Sequence, residues 1–330
     1  MRRKQFLRSF ISTPRGSDHV RLLLIAFVFV FLLSPWTAQA AKVRVVATVP
    51  DLAAIAQAVG GDHVEVRGLA LPTQDAHFVD AKPNMALMVN RADLLILVGL
   101  DLEIGWLPTL LTGARNPRVQ PGMPGYLDAG AYVNVKGIPT TPIDRSMGDI
   151  HPGGNPHYLH DPNQGLRVAN AIAERLSRID PKNAQHYQDR LSEFKDVASR
   201  RIQRWEAKIE PHSGARVVTY HASWIYLLDW LEMEEIDTIE PKPGIPPSPA
   251  HVARLLARMR AQPPALILQE AYYPTATARM LGERAGVPVL VLPGGTDFQG
   301  GEAYLDHIEN NVRAIAEALE KSTREDRPND

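Results

Sequence analysis

Three histidines, His77, His157 and His221, lie in three loop segments far apart in the chain, each after a predicted strand or a proline turn. None belongs to the apolar stripe of a predicted helix. Neutral imidazole nitrogen is a preferred ligand of zinc and other late first-row divalent metals, and three imidazoles with one carboxylate complete a tetrahedral shell. The pattern therefore predicts that these side chains converge on one metal ion.

The elements that position them form two groups of short apolar runs separated by helical segments. The first group is at 43–49, 63–69 and 94–98, and the second is at 216–220, 265–268 and 287–292. Short buried runs that alternate with helices indicate mostly parallel sheets covered by helices. The predicted fold class is α/β, with two lobes.

The segment between the lobes predicts one long helix. The segment has no Gly or Pro after Pro181. Its apolar residues fall on one helical face and include Tyr187, Leu191, Phe194, Ile202 and Trp205. Such a helix would extend roughly 40 Å at about 1.5 Å per residue. The expected organisation is a signal peptide at 1–40, an N-terminal lobe at 41–180, a connecting helix at 181–210, a C-terminal lobe at 211–320 and a disordered tail at 321–330. The Gly- and Pro-rich stretch 121–156 predicts a loop with one short strand near 131–135.

The first 40 residues have the features of an export signal. Six basic residues precede the apolar run 22–33, Pro35 ends that run, and Ala38-Gln39-Ala40 provides a cleavage pattern of small residues. The run is too short for a permanent membrane span. We expect cleavage after Ala40 and a soluble periplasmic protein. The strongly apolar run favours the general secretory route over the twin-arginine route that Arg3-Lys4 would suit.

Composition excludes several classes of function. The chain has no cysteine, which removes disulfides, thiolate metal sites, cysteine nucleophiles and a lipid-modified cysteine. Without residues 1–40 it carries 30 Lys and Arg against 36 Asp and Glu, a net charge of about −6. Nucleic acid is an unexpected partner because its binding needs a clustered basic face. We expect a monomer.

Five blocks of sequence carry a family resemblance. They are Asp75-Ala76-His77-Phe78, the segment 91–107, Gly154-Asn155-Pro156-His157-Tyr158, Tyr220-His221-Ala222-Ser223-Trp224 and the segment 240–249. In this order and spacing they resemble the metal-binding solute receptors of bacterial zinc and manganese ABC importers, over residues 43–319. The resemblance implies two α/β lobes joined by a long backbone helix, an ion held in the cleft between them, and a membrane permease as partner.

The resemblance also implies a ligand set. His77, His157 and His221 match the first three ligands of the family. The fourth is usually an Asp after a late strand, and Asp297 occupies that place. Glu270 is the alternative, because it follows the predicted strand 265–268 and ligands gather outside the carboxyl ends of parallel strands.

Metal identity follows from the donors. Three imidazoles and one carboxylate favour zinc, with manganese as the alternative, because manganese receptors of the family tend to have a carboxylate where this chain has His221. The long His-rich acidic loop of many zinc receptors is missing, and His151 is the only histidine in 121–156.

The resulting functional prediction is a receptor that delivers a metal ion to a permease and is not an enzyme. A zinc hydrolase is the first alternative, but the usual H-E-x-x-H helix is absent and an open coordination position would be needed. An adhesin-like surface protein is the second.

The remaining histidines are expected to have no ligand role. His151 and His160 are predicted to be exposed loop residues, and the alternative is that they support the ligands from behind or line the entry to the site. A surface or helix-face position is expected for His63, His186, His212, His251 and His307. Asp161 is predicted to cap the helix that begins at Pro162.

Overall fold

Each lobe is built on a four-stranded sheet in which all strands run parallel. The structure is a computed structural model that describes residues 41–141, 148 and 151–325. The predicted signal peptide lies outside the described residues, as do 326–330 of the predicted tail. Among the described residues, no helix combines the length and the apolar character that crossing a membrane requires.

The N-terminal sheet has the order β2-β1-β3-β4. Its strands are β1 (Val43–Ala47), β2 (Val64–Gly68), β3 (Leu94–Leu97) and β4 (Tyr126–Asp128). Its helices are α1 (Pro50–Gly60), α2 (Pro83–Arg91), α3 (Leu107–Ala114) and α4 (Pro162–Ile179). β3 is buried at every position because helices cover both faces of the sheet.

The C-terminal sheet repeats this arrangement with the order β6-β5-β7-β8. Its strands are β5 (Arg216–Thr219), β6 (Glu234–Thr238), β7 (Leu266–Glu270) and β8 (Val289–Leu292). The connecting helix is α5 (Ala184–Ile209), and the later helices are α6 (Ile225–Trp230), α7 (Pro249–Ala261), α8 (Ala276–Ala285) and α9 (Tyr304–Glu325). In each sheet the next two strands in the sequence lie on opposite sides of the first strand. This reversal of strand order opens a crevice at the carboxyl ends of the central strands.

One hydrophobic core runs through both lobes. It includes Leu52 of α1, Phe194 of α5, Trp224 after β5 and Ile308 of α9, all buried. Helix α9, which comes last in the sequence, packs against α1 and α5. Since close-packed interiors resist deformation, and α5 has no internal Gly or Pro to bend it, we expect little hinge motion between the lobes.

The α/β fold prediction is confirmed, and Asp161 caps α4 as predicted, with Oδ1 accepting a hydrogen bond from the Asn163 amide at 2.8 Å. The predicted strand near 131–135 is wrong. The fourth strand comes earlier, at Tyr126–Asp128, where it pairs with β3. The Asp128 side chain then caps a 3₁₀ turn at Ala129–Tyr132, which ends the strand. Helix α9 reaches Glu325, five residues into the segment predicted to be disordered.

Candidate metal centre

His77 is positioned by the loop that follows β2. Its Nδ1 lies 2.7 Å from Oδ1 of Asp75, and the same oxygen accepts a hydrogen bond from the His77 backbone amide at 2.9 Å. Burial alone would raise the pKa of Asp75, but the hydrogen bonds and charge of His77 outweigh it and lower that pKa. The ionised carboxylate takes the hydrogen on Nδ1 and leaves the Nε2 lone pair of His77 available for a metal.

His221 directly follows β5, the central strand of the second sheet. Its Nδ1 lies 2.7 Å from Oε2 of Glu240, and the side chains are only 6 % and 7 % exposed. Burial opposes protonation of His221, but the hydrogen bond to Glu240 and the nearby carboxylates outweigh it and raise the pKa of His221. This carboxylate again orients the ring so that Nε2 faces the cleft.

His157 lies in the loop before α4, where this loop contacts the second lobe. The Asn155 side chain fixes this segment, because its Oδ1 accepts from the His157 amide at 2.9 Å and its Nδ2 donates to the Ala222 carbonyl at 2.7 Å. Nε2 of His157 is buried and has no hydrogen-bond partner among the described residues. Burial, followed by the positive charges of His77 and His221, lowers the pKa of His157 well below its usual value. A neutral, desolvated nitrogen of this kind is suited to bind a cation.

The three imidazoles meet at one point. The ring centroids of His77 and His157 are 5.2 Å apart, those of His77 and His221 are 5.6 Å apart, and those of His157 and His221 are 5.3 Å apart. One possible ligand nitrogen from each lies within 4.8 Å of the other two. Residues separated by up to 144 positions in the sequence are thus brought together, as the sequence predicts.

The predicted carboxylate ligands are placed differently. Asp297 is exposed, and its Oδ1 accepts a hydrogen bond from the Gly300 amide of its own loop at 3.0 Å. Glu270 ends β7 and is fully buried beside His221, where Ser223 donates a hydrogen bond to its Oε1. Burial raises the pKa of Glu270 to about 7. Neither carboxylate joins the histidine group in the described part of the chain.

Several other histidines are more buried than expected. His160 is 9 % exposed and stacks on Trp224, with ring centroids 4.5 Å apart. His251 Nε2 donates a hydrogen bond to the Thr238 carbonyl at 2.9 Å, and His307 is 1 % exposed. The expectation that His160 is exposed is wrong, because its loop packs against Trp224. His251 and His307 lie on helices α7 and α9, in agreement with the helix-face alternative, but on buried faces.

His151 lies at the site, in agreement with the less favoured of its two sequence predictions. Its Nε2 lies 3.1 Å from Nε2 of His77, and burial, followed by the charges of His77 and His221, lowers its pKa to about 4. The His151 ring is therefore neutral at neutral pH, and it lies beside His77. The sequence signal was its proximity to His157, six residues later.

Two openings lead to the histidines. A cavity of about 420 Å³ is lined by Asp75, His77, His221, Glu240 and Tyr273. A second, of about 620 Å³, is lined by residues that include His77, Ile104 and His151. Both cavities adjoin His77, one of the three converging histidines.

Two α/β lobes, a connecting long helix and imidazoles that converge between the lobes define a solute receptor for a metal cation. The sequence profile of the family described as "Zinc-uptake complex component A periplasmic" matches residues 45–318. The chain belongs to this family, whose members serve as substrate-binding proteins of metal ABC transporters and are not enzymes.

Curated relatives cover most of the chain at low identity. The manganese ABC transporter substrate-binding lipoprotein PsaA of Streptococcus pneumoniae serotype 4 is 23% identical over 300 residues, which are 86% of this chain and 92% of PsaA. The iron ABC transporter substrate-binding lipoprotein MtsA of Streptococcus pyogenes serotype M1 is 22% identical over 321 residues, 91% of this chain and 98% of MtsA.

Solved structures show the same fold. A crystal structure of ZnuA superposes with a TM-score of 0.69 at 22% identity, covering 84% of this chain and 99% of that one. A manganese-bound periplasmic metal-binding protein of Candidatus Liberibacter asiaticus gives a TM-score of 0.68 at 20% identity, covering 84% of this chain and all of that one.

Proposed function

We propose that this receptor captures zinc outside the cytoplasm, with His77, His157 and His221 as ligands, and delivers it to a membrane permease. The observation that carries the proposal is the convergence of one ring nitrogen from each of the three histidines within 4.8 Å, together with the unpartnered, buried Nε2 of His157. A buried nitrogen without a hydrogen bond is costly, and a bound cation would remove that cost.

Zinc is favoured over manganese and iron because the donors that converge are imidazole nitrogens. Manganese prefers carboxylate, carbonyl and water oxygens. The two carboxylates nearest the imidazoles, Asp75 and Glu240, are engaged with Nδ1 of His77 and His221 and act behind these ligands. Relatives named for manganese and iron make the metal the first point to test.

Elemental analysis tests the metal directly. The protein is purified from the periplasm without chelators or added metal, and bound metals are quantified by mass spectrometry. We expect about one zinc per chain. Stoichiometric manganese or iron with no zinc would contradict the proposed cargo.

Recovery of the protein without residues 1–40 would test cleavage after Ala40, and its elution volume would test the expected monomer.

Zinc affinity is expected to fall as the pH drops, beginning above pH 6.5. Zinc must displace a proton from each protonated ligand. The raised pKa of His221 means that its proton competes already near neutral pH, whereas the lowered pKa of His157 delays its competition to more acidic pH. Titrations between about pH 8 and 5 measure this dependence against a reference pKa of about 6.5.

A Glu240→Gln variant provides the matched comparison. It removes the charge that raises the pKa of His221, so the fall in affinity should begin at a lower pH. Affinity that is independent of pH over this range would contradict a shell dominated by histidines.

A further inference from the structure

His77 and His151 face each other through ring nitrogens in an unusual way. Their Nε2 atoms are 3.1 Å apart, and their rings are tilted by 30° with centroids 5.2 Å apart. The hydrogen of neutral His77 is on Nδ1, where Asp75 accepts it. Nε2 of His77 therefore presents a lone pair to His151.

The contact between the two rings is suited to hold a proton or a cation. The two Nε2 atoms are at hydrogen-bonding distance, 3.1 Å. Since His77 keeps its hydrogen on Nδ1, a hydrogen bond between the rings requires the hydrogen to be on Nε2 of His151. A metal cation that displaces this hydrogen is then bound by the lone pairs of both nitrogens.

The backbone turn at 99–101 is strained, and it borders the cavity that His77 and His151 line. Gly99, Leu100 and Asp101 have consecutive positive φ values of 76°, 52° and 64°. Left-handed conformations at non-glycine residues are uncommon, and each costs about 1–3 kcal/mol where the surroundings impose it. Such strain concentrates at ligand-binding sites.

The nitrogen separation fits coordination of a single ion. Zinc–nitrogen bonds of about 2.0–2.1 Å at a tetrahedral angle place two donor atoms about 3.3 Å apart. The observed Nε2 separation of His77 and His151 is 3.1 Å. By contrast, the Asp297 carboxylate is exposed and Oε1 of Glu270 is occupied by Ser223.

We propose that His151 is the fourth protein ligand of the transported ion, giving a shell of four imidazoles that selects zinc over manganese. The proposal rests on the proposed function and completes its ligand set. His151 contacts His77 and lies outside the group of three imidazoles in the metal-free protein, so the proposal requires its ring to move towards the ion shared with His157 and His221 on binding. Four nitrogen donors with no carboxylate disfavour manganese more strongly than three would.

The first test compares metal affinities of purified full-length protein by competitive titration with zinc and with manganese. His151→Ala is expected to weaken zinc binding at least about tenfold and manganese binding less, so the preference for zinc falls. His212→Ala, on the turn after α5 and away from the site, is the matched control and should bind like the wild type.

The second test counts ligands in the wild type and does not depend on a variant. With ¹⁵N-labelled histidine, zinc is expected to shift the ring nitrogens of four histidines, and the fourth signal should be the one missing from the His151→Ala spectrum. Three shifted rings together with unchanged zinc affinity of His151→Ala would overturn the proposal while leaving the three-histidine site intact. So would loss of affinity in Asp297→Asn with none in His151→Ala, which would identify the carboxylate as the fourth ligand. No zinc binding by the wild type would refute the proposed function itself.

Discussion

Replacing His157 by alanine is expected to weaken zinc binding by at least about tenfold while leaving the metal-free fold intact. Nε2 of His157 makes no hydrogen bond among the described residues, so its removal breaks no hydrogen bond at that atom. The Asn155 contacts that fix the segment use the His157 backbone and therefore persist. The same loss of affinity is expected for His77→Ala and His221→Ala.

Calorimetric titration of the three variants decides the matter, with circular dichroism to confirm folding. His77→Ala and His221→Ala also leave Asp75 and Glu240 without their imidazole partners, so His157→Ala gives the cleanest comparison. Unchanged zinc affinity in any one folded variant would exclude that residue as a ligand.

Zinc is expected to raise the melting temperature substantially. A ligand that binds only the folded state stabilises it by about 4 kcal/mol at a thousandfold excess over Kd, which corresponds to a rise of roughly 10 °C for a domain of this size. The proposed ligands come from both lobes and from their junction, and one core runs through both lobes. The ion should therefore stabilise the whole molecule in a single transition.

Differential scanning calorimetry with and without zinc measures this effect. The triple variant with alanine at His77, His157 and His221 is the control, and it should show no rise. An unchanged melting temperature in the wild type at saturating zinc would contradict a site that joins the two lobes.

The two lobes and the long helix could be predicted because most of their strands and helices have sequence patterns that are visible within a single segment. The buried residues of β3 form one continuous run, and the apolar residues of α5 recur with helical spacing, so each element can be recognised within its own segment. β6 was missed because its sequence, Glu-Glu-Ile-Asp-Thr, is acidic and only one of its residues is buried. Its assignment as a strand depends on pairing with β5, which no local pattern reports.

The histidine group was predictable because each member follows a strand or a proline turn. The partners behind it were not, since Glu240 reaches His221 only after β6 pairs with β5. The contact of His151 with His77 was not predictable for the same reason, because it spans 74 positions. The exposed position of Asp297 depends on the turn that brings the Gly300 amide to its carboxylate.

Anomalous diffraction from crystals of the zinc-loaded protein, recorded on both sides of the zinc absorption edge, tests the central claim most directly. We predict one strong peak per chain, within bonding distance of ring nitrogens of His77, His157 and His221. A peak at any other group of side chains, or no peak in protein saturated with zinc, would contradict a metal receptor built on these three histidines.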